Sequence, residues 1–327
     1  PRSSPSLLLG VPSWSWAIGR RAAIRSLCPA VPGLTLRFVM AADQLAPDDV
    51  HGDVLRFHLP AAADRGKVGK YFLLNAFLRH AAARRFTFVG RMDDDALVNT
   101  TAVLRELSLL VSPKHRHAVV GQMQSNWYMW HAESMMPSCK GFNLRKYAGL
   151  PSMQPVSMAR KAEMPVQRHQ PLPPPSSRLD ECTVPGLEGP FLFAGGPFVV
   201  YSQAVAQELS TMLDADELYV LRNRTVNNTL VNPFKARQYA PNSTSKHHPA
   251  RTILLEDVYY ASLLYRAWSD RNLTLVNVKN SNWSPSNRRP DGKIAITRAF
   301  IYHNLKHPKR FADVANASGL LRYGEPR

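Results

Sequence analysis

Three consecutive carboxylates are the side chains in this sequence best placed to do chemistry. Asp93, Asp94 and Asp95 follow the apolar run 86–92 and precede Ala-Leu-Val-Asn, which places them at the tip of a predicted buried strand. Adjacent like charges repel one another, and a divalent cation or hydrogen-bond donors would stabilise them. The cluster therefore predicts a site for a metal-bound phosphate, and a solvated acidic turn is the alternative interpretation.

The elements that must position this cluster follow from the spacing of apolar residues. Short apolar runs that alternate with basic or proline-containing connections are typical of strands in a layered α/β domain. Strands are predicted at residues 6–11, 34–40, 54–59, 86–92, 118–122, 191–201 and 294–303. Helical spacing predicts helices at residues 20–27, 67–83, 100–110, 203–212 and 258–268, with Asn99 or Thr100 capping the third and Ser202 the fourth.

The 327 residues are enough for one elaborated domain, which we expect to span residues 5–312, followed by a tail at 313–327. Two intervals show little periodicity and are rich in proline or in polar residues. We expect residues 151–190 and 222–251 to be surface insertions in that domain.

Composition bears on the compartment and on the partners of the chain. The formal net charge of +17 would attract a nucleotide sugar, a nucleic acid or an acidic membrane surface, or it reflects a general bias of composition. Seven Asn-x-Ser/Thr sequons, from Asn99 to Asn316, suggest a secretory route, and we expect the one at Asn99 to be unused because it adjoins the acidic cluster. With three cysteines, a pair between Cys139 and Cys182 would leave Cys28 free.

Several sequence blocks resemble, in order, the inverting β1,3-glycosyltransferases of glycosyltransferase family 31. The resemblance extends from residue 7 to residue 306, so it covers nearly the whole chain. The blocks are Leu7-Leu-Leu-Gly-Val-Pro-Ser13 with Arg20-Arg-Ala-Ala-Ile-Arg25, Met92-Asp-Asp-Asp-Ala-Leu-Val-Asn99, Asn126-Trp-Tyr128, Ala194-Gly-Gly-Pro-Phe-Val-Val-Tyr-Ser202, Glu256-Asp-Val-Tyr259 and His303-Asn-Leu-Lys306. Two places depart from the family pattern: Leu27-Cys28, where the family has tryptophan, and Phe198, where the family has a small residue.

The resemblance implies a GT-A-type nucleotide-sugar-binding fold, an α/β domain with a mostly parallel sheet flanked by helices. It also implies a Mn²⁺ or Mg²⁺ ion that neutralises the diphosphate of the donor. The residues it assigns to the metal are Asp95, Asp93 and His303, with His307 as the rival histidine. The residues it assigns to the donor nucleotide sugar are Ser13, Arg25, Asp93, Asp94, Gly195 and Gly196.

Inversion at the anomeric carbon needs a carboxylate that takes the proton of the acceptor hydroxyl. Asp257 is the predicted base and Glu256 the alternative, although an acid here could also stabilise a helix N-terminus. Trp127 and Tyr128 could form a platform for a sugar ring or belong to the core.

The function implied by the resemblance is transfer of galactose or N-acetylglucosamine from a UDP-sugar to a glycan hydroxyl in β1,3 linkage. The acceptor would be a glycoprotein or glycolipid glycan. The expected location is the Golgi lumen, with a membrane anchor upstream of residue 1, since no stretch in the sequence reaches the roughly 18 apolar residues of a membrane span. One alternative is a catalytically impaired GT-A-fold protein that binds nucleotide sugars or glycans. A nucleic-acid-binding protein is disfavoured, because the sequence has no recognisable nucleic-acid-binding motif.

Overall fold

A computed structural model describes sixteen segments of the chain. They are 4–28, 30–49, 52–59, 67–110, 116–129, 134–135, 167–168, 187–223, 225–226, 229–230, 257, 260, 263–264, 273–277, 301–302 and 305–318.

The described strands form one large mixed sheet and two small two-stranded sheets. The strands are β1 (Leu7–Pro12), β2 (Leu34–Ala41), β3 (Val54–Phe57), β4 (Phe88–Met92), β5 (Leu97–Val98), β6 (Ala118–Met129), β7 (Ser134–Met135), β8 (Gln167–Arg168), β9 (Leu187–Ser202), β10 (Thr225–Val226), β11 (Thr229–Leu230), β12 (Thr274–Asn277) and β13 (Ile301–Tyr302). The large sheet has the order β3-β2-β1-β4-β9-β6-β12-β8, and β7 pairs with β6 at its side. β9 runs antiparallel to both of its neighbours, whereas β3, β2, β1 and β4 are parallel to one another and β6 is parallel to β12.

Helices cover both faces of this sheet, as the sequence predicted. The described α-helices are α1 (Ile18–Leu27), α2 (Lys67–Ala82), α3 (Thr100–Leu107), α4 (Gln203–Asn223) and α5 (Pro308–Ser318). No helix in the described ranges is long and apolar enough to cross a membrane.

Side chains of successive strand residues enter two separate cores, one on each face. Leu8 packs in the core that α2 and α4 cover, while its neighbours Leu7 and Leu9 pack in the core that α1, α3 and α5 cover. A strand that is buried on both faces has no polar side to show, which explains why its sequence is an apolar run rather than an alternating one. Gly10 lets α2 come close, since a Cβ at this position would lie 2.6 Å from the ring of Phe77.

The expectation of an α/β domain with a mostly parallel sheet flanked by helices is confirmed. The prediction of an Asn99 cap is also confirmed, because its side-chain oxygen accepts a hydrogen bond of 3.0 Å from the amide of Ala102 at the start of α3. Ser202 has another role than the predicted cap. Its hydroxyl donates to the carbonyl of Arg116 and accepts from the amide of Ala118, which ties β9 to β6.

The strand around the glycine pair is longer than predicted. β9 begins at Leu187, inside the interval 151–190 that we expected to be an insertion. Of the other predicted insertion, 222–251, the described part contains the end of α4 and the β10-β11 hairpin. The division into a domain at 5–312 and a tail at 313–327 stays a prediction.

Candidate active site

The acidic cluster lies at the carboxyl edge of the parallel strands, where open α/β sheets bind their ligands. β4 ends at Met92, and the chain turns at once, with the amide of Ala96 donating to the carbonyl of Asp93 at 3.1 Å. The amide of Asp93 donates to the carbonyl of Pro197 in β9 at 2.9 Å. The backbone of the cluster is therefore fixed to the glycine-containing segment of the adjacent strand.

That segment of β9 is bulged. Against β6, Val199 pairs with Gly121 and Gly195 pairs with Gln122, so the intervening residues of β9 have no partner on that side. Gly196 lies in the bulge with φ +91°, a backbone conformation that side-chain-bearing residues rarely adopt. Bulges often redirect the backbone next to functional sites, and this one turns the amide of Gly196 out of the sheet ladder.

The freed amide contacts the predicted catalytic base. Gly196 N–H donates to Asp257 Oδ2 at 3.2 Å. The other oxygen of this carboxylate, Oδ1, forms an ion pair with the guanidinium of Arg91, a residue of β4 that is only 3% exposed. The bulge thus joins Asp93 and Asp257, which are far apart in the sequence, through one short stretch of backbone.

The C-terminal part of the chain reaches the same place. β13 pairs with β5 so that Tyr302 faces Leu97, and the amide of Leu305 donates to the carbonyl of Asp95 at 2.8 Å. His303 and Glu256 lie outside the described residues. The segment that flanks His303 is therefore attached directly to the acidic cluster.

Within the described segments, the side chains of Lys70 and Arg20 contact the acidic cluster. Lys70 Nζ lies 2.8 Å from Asp93 Oδ1, and an Arg20 guanidinium nitrogen lies 2.9 Å from Asp94 Oδ1. Arg20 also donates to the carbonyl of Lys306, so it links the cluster to the C-terminal segment. Burial raises the pKa of the Asp94 carboxyl above its usual value, against the opposing effect of Arg20.

The donor chemistry of the cluster fits a hard divalent cation. Carboxylate oxygens are the ligands that Mg²⁺ and Mn²⁺ accept, and Asp94 Oδ2 is buried with no hydrogen-bond partner among the described residues. No group of three His, Cys, Asp or Glu side chains within the described segments is arranged to hold a metal.

The predicted donor-site residues Ser13 and Arg25 belong to a charged network that involves Arg21, Asp48 and Asp53. Arg21 is fully buried and donates to both carboxylate oxygens of Asp48 and to Ser13 Oγ. Arg25 forms ion pairs with Asp48 and Asp53. The hydrogen bond from Arg21 holds the pKa of the Asp48 carboxyl well below its usual value. This network ties α1 to the loop that follows β2, and a nucleotide-binding role for Ser13 and Arg25 stays a prediction.

The remaining predicted residues lie on the extension of β6 and β9 past the edge of the sheet. Trp127 and Tyr128 are in β6, where Tyr128 pairs with Glu188 and the register is irregular between Asn126 and Tyr128. The structure describes only their backbone, so the sugar platform stays a prediction.

The sequence interpretation missed the basic partners of the acidic groups. Lys70 and Arg20 are on helices, where a charged residue normally indicates a solvent-exposed face. Arg91 carried a usable signal, because a lone arginine in the apolar run 86–92 has to be paired if the strand is buried.

Comparisons with known proteins give weak structural likenesses. No protein-family profile matches the chain, and no curated protein sequence matches it. Among solved structures, the galactosyltransferase LgtC, in complex with donor and acceptor sugar analogues, is 6% identical, with a TM-score of 0.40 and 95% of each chain covered. Mouse xyloside xylosyltransferase 1 is 12% identical, with a TM-score of 0.37 and coverage of 92% of this chain and 97% of that one. The glycosyltransferase GlyE of Streptococcus pneumoniae is 9% identical, with a TM-score of 0.37 and coverage of 98% and 63%. Likeness at this level does not assign a family or an activity.

Proposed function

We propose that this protein is a GT-A-type glycosyltransferase that uses a UDP-sugar donor. The observation that carries the proposal is the bulge of β9, which contacts the backbone of Asp93 and the carboxylate of Asp257 at the carboxyl edge of the sheet. Three sequence blocks that resemble those of one enzyme family meet there. A structural acidic turn would not need the second carboxylate or the glycine bulge.

On the donor side, Asp95 and Asp93, together with His303, would hold a Mn²⁺ or Mg²⁺ ion. Such an ion stabilises the negative charge that develops on a departing diphosphate. Gly195 and Gly196 leave room for the donor sugar, because neither carries a side chain. Lys70 orients Asp93 through their contact of 2.8 Å.

On the acceptor side, Asp257 would take the proton of the attacking hydroxyl. Its two oxygens are held by the amide of Gly196 and by Arg91, and this fixes the plane of the carboxylate. An ionised carboxylate has about four acceptor positions, so both contacts leave capacity for an acceptor hydroxyl. In this proposal Arg91 orients the carboxylate.

The finer assignment follows the sequence resemblance. It comprises inversion, transfer of galactose or N-acetylglucosamine from the UDP-sugar in β1,3 linkage to a glycoprotein or glycolipid glycan, and a location in the Golgi lumen. The described contacts support the choice of site residues, whereas the identities of the sugars rest on the sequence blocks alone.

The direct test is a screen of UDP-sugars with the purified protein, with release of UDP and transfer to a panel of glycans as the readouts. We expect UDP-galactose or UDP-N-acetylglucosamine to be consumed, a chelator to abolish the reaction and Mn²⁺ to restore it. The linkage and anomeric configuration of the product follow from NMR. Transfer that is insensitive to the chelator would contradict the metal role, and retention of configuration would contradict Asp257 as the base.

The role of Asp257 has its own test. Asp257→Asn should abolish transfer, because an amide cannot take the proton, while titration calorimetry should show nearly unchanged binding of UDP-sugar and metal. Asp313→Asn is a matched control, since Asp313 is exposed on α5. Activity of the Asp257 variant within a few-fold of wild type would exclude the assignment.

A second candidate is a catalytically impaired protein of the same fold that binds nucleotide sugars or glycans. It is favoured by the ion pairs of Asp93, Asp94 and Asp257, each with a basic side chain. Binding of a UDP-sugar without turnover, with or without Mn²⁺, would support this candidate over the enzyme.

A further inference from the structure

Two buried polar residues, one of them three positions after the candidate base, are joined by a hydrogen bond. The hydroxyl of Tyr260 donates to Asn75 Oδ1 at 2.7 Å, across 185 positions of sequence. Asn75 is 0% exposed and Tyr260 is 1% exposed. This hydrogen bond joins the middle of α2 to the segment that carries Asp257.

Tyr260 is coupled to Asp257 by helical geometry. Both residues are helical, and they are three positions apart, which is the spacing that places two side chains on one face of a helix. A shift of the Tyr260 hydroxyl would therefore rotate or translate the turn that holds the carboxylate. Gly196 and Arg91 contact the carboxylate of Asp257, and Asn75 contacts the hydroxyl of Tyr260, three positions further along the chain.

The same helix also positions the acidic cluster. Five residues before Asn75 in α2, Lys70 contacts Asp93 at 2.8 Å. Between them, the ring of Tyr71 stacks on the ring of Tyr260, with centroids 6.5 Å apart and planes 29° apart. One rigid element thus sets the position of Asp93 relative to that of Asp257.

A buried polar pair contributes less to stability in this part of the core than an apolar pair would. Tyr260 packs in the apolar core that includes Leu74 and Phe77. Asn75 is fully buried, and its Nδ2 has no hydrogen-bond partner among the described residues. An apolar pair of similar shape would cost no unmade hydrogen bond. What a directional hydrogen bond adds is one defined orientation of the helix.

We propose that Asn75 and Tyr260 are positioning residues for Asp257. The proposal rests on the proposed function, since it takes Asp257 as the base of the transfer reaction. Neither residue touches the substrate in this scheme. They act by keeping the Asp257 turn in one place relative to the bulge of β9.

The test compares single variants with a double variant. Tyr260→Phe removes only the hydroxyl and leaves both polar side-chain atoms of Asn75 buried without a partner among the described residues, so it should lower both stability and kcat. The double variant Asn75→Leu/Tyr260→Phe removes the whole polar pair and should regain most of the lost stability. Its kcat should remain about 10- to 100-fold below wild type, with KM for the UDP-sugar unchanged, because the carboxylate is misplaced and the donor contacts are not.

A matched control lies at the opposite edge of the sheet. Thr87→Val removes the contacts between the Thr87 hydroxyl and Ser6, at 3.2 Å, just before β4 begins. It should lower stability and leave kcat at the wild-type level. If the double variant regains wild-type kcat together with its stability, the pair is merely structural and the proposal is overturned.

Hydrogen exchange gives a readout that does not depend on turnover. The peptide that contains Asp257 and Tyr260 should exchange faster in the double variant than in wild type or in Thr87→Val. Unchanged exchange would overturn the positioning role even if the wild-type protein proved inactive. Absence of wild-type transfer with every donor would instead overturn the proposed function, so the two failures are distinguishable.

Discussion

Replacing Gly196 with alanine tests whether the bulge of β9 belongs to the active site. Gly196 has φ +91°, and an L-residue in left-handed conformations costs about 1–2 kcal/mol. The variant should therefore lose a few degrees of Tm. Relief of this strain would rotate the peptide plane and weaken the hydrogen bond of 3.2 Å from Gly196 N–H to Asp257 Oδ2. Hydrogen bonds to charged groups contribute about 1.5–3 kcal/mol, and about 1.4 kcal/mol is a factor of ten, so kcat should fall about 10- to 100-fold.

Gly52→Ala is the matched control for this experiment. Gly52 also has a left-handed backbone, with φ +61°, and a Cβ built on it meets nothing within 4 Å. It should show a similar loss of Tm and a wild-type kcat. The assay is initial-rate kinetics at saturating UDP-sugar, with thermal unfolding measured on the same samples. If Gly196→Ala loses stability as Gly52→Ala does and keeps its kcat, the contact between the bulge and Asp257 has no catalytic role.

The remaining predictions concern the framework of the site. Asp48→Asn should destabilise the protein by about 3 kcal/mol at pH 7, because it leaves the buried charge of Arg21 without its partner. The folded-state pKa of Asp48 is depressed, so its contribution to the free energy of unfolding is present above the unfolded-state pKa of about 3.9 and is lost as the pH falls below that value. In chemical denaturation, the difference in unfolding free energy between variant and wild type should therefore shrink toward pH 3. A difference that stays constant with pH would refute the ion-pair assignment. Burial raises the pKa of the Cys28 thiol to about 11, so iodoacetamide at pH 8 should label Cys28 only after the protein unfolds. Mass spectrometry maps the labelled residue, and labelling of Cys28 in the folded protein would contradict its burial. Gly10→Ala should lower the free energy of unfolding by about 1–3 kcal/mol, because the added methyl group overpacks against Phe77. In a double-mutant cycle, Phe77→Leu should recover part of that loss. Additive effects of the two substitutions would show that α2 does not pack on Gly10.

The parts of the fold that the sequence predicted are those in which local pattern and burial agree. The runs that became β1, β2 and β4 are apolar because both faces of the sheet are covered. The cap at Asn99 was predictable because the geometry of a helix N-terminus is local. The full length of β9 was not, since its first residues extend past the sheet edge next to β6, where no periodicity of its own marks a strand.

The candidate site was predictable only as a set of separate blocks. The antiparallel direction of β9 brings Gly196 to the end of β4, and strand direction is a tertiary property that the residues do not encode locally. The contacts of the basic residues are also a tertiary property. Lys70 and Arg20 can be assigned to the site only once the positions of α2 and α1 against the carboxyl edge are known.

The two departures from the family pattern concern packing more than chemistry. Cys28 and Phe198 are 7% and 2% exposed, and both side chains lie in the core covered by α1, α3 and α5. The acidic cluster is instead held to its neighbours by backbone groups, namely Asp93 N–H to Pro197 and Leu305 N–H to the carbonyl of Asp95. Backbone contacts do not depend on the identity of a core side chain as long as the core remains filled. Substitutions at Cys28 or Phe198 should therefore act first on stability, whereas the proposed function assigns the chemistry to Asp93, Asp257 and the bulge between them.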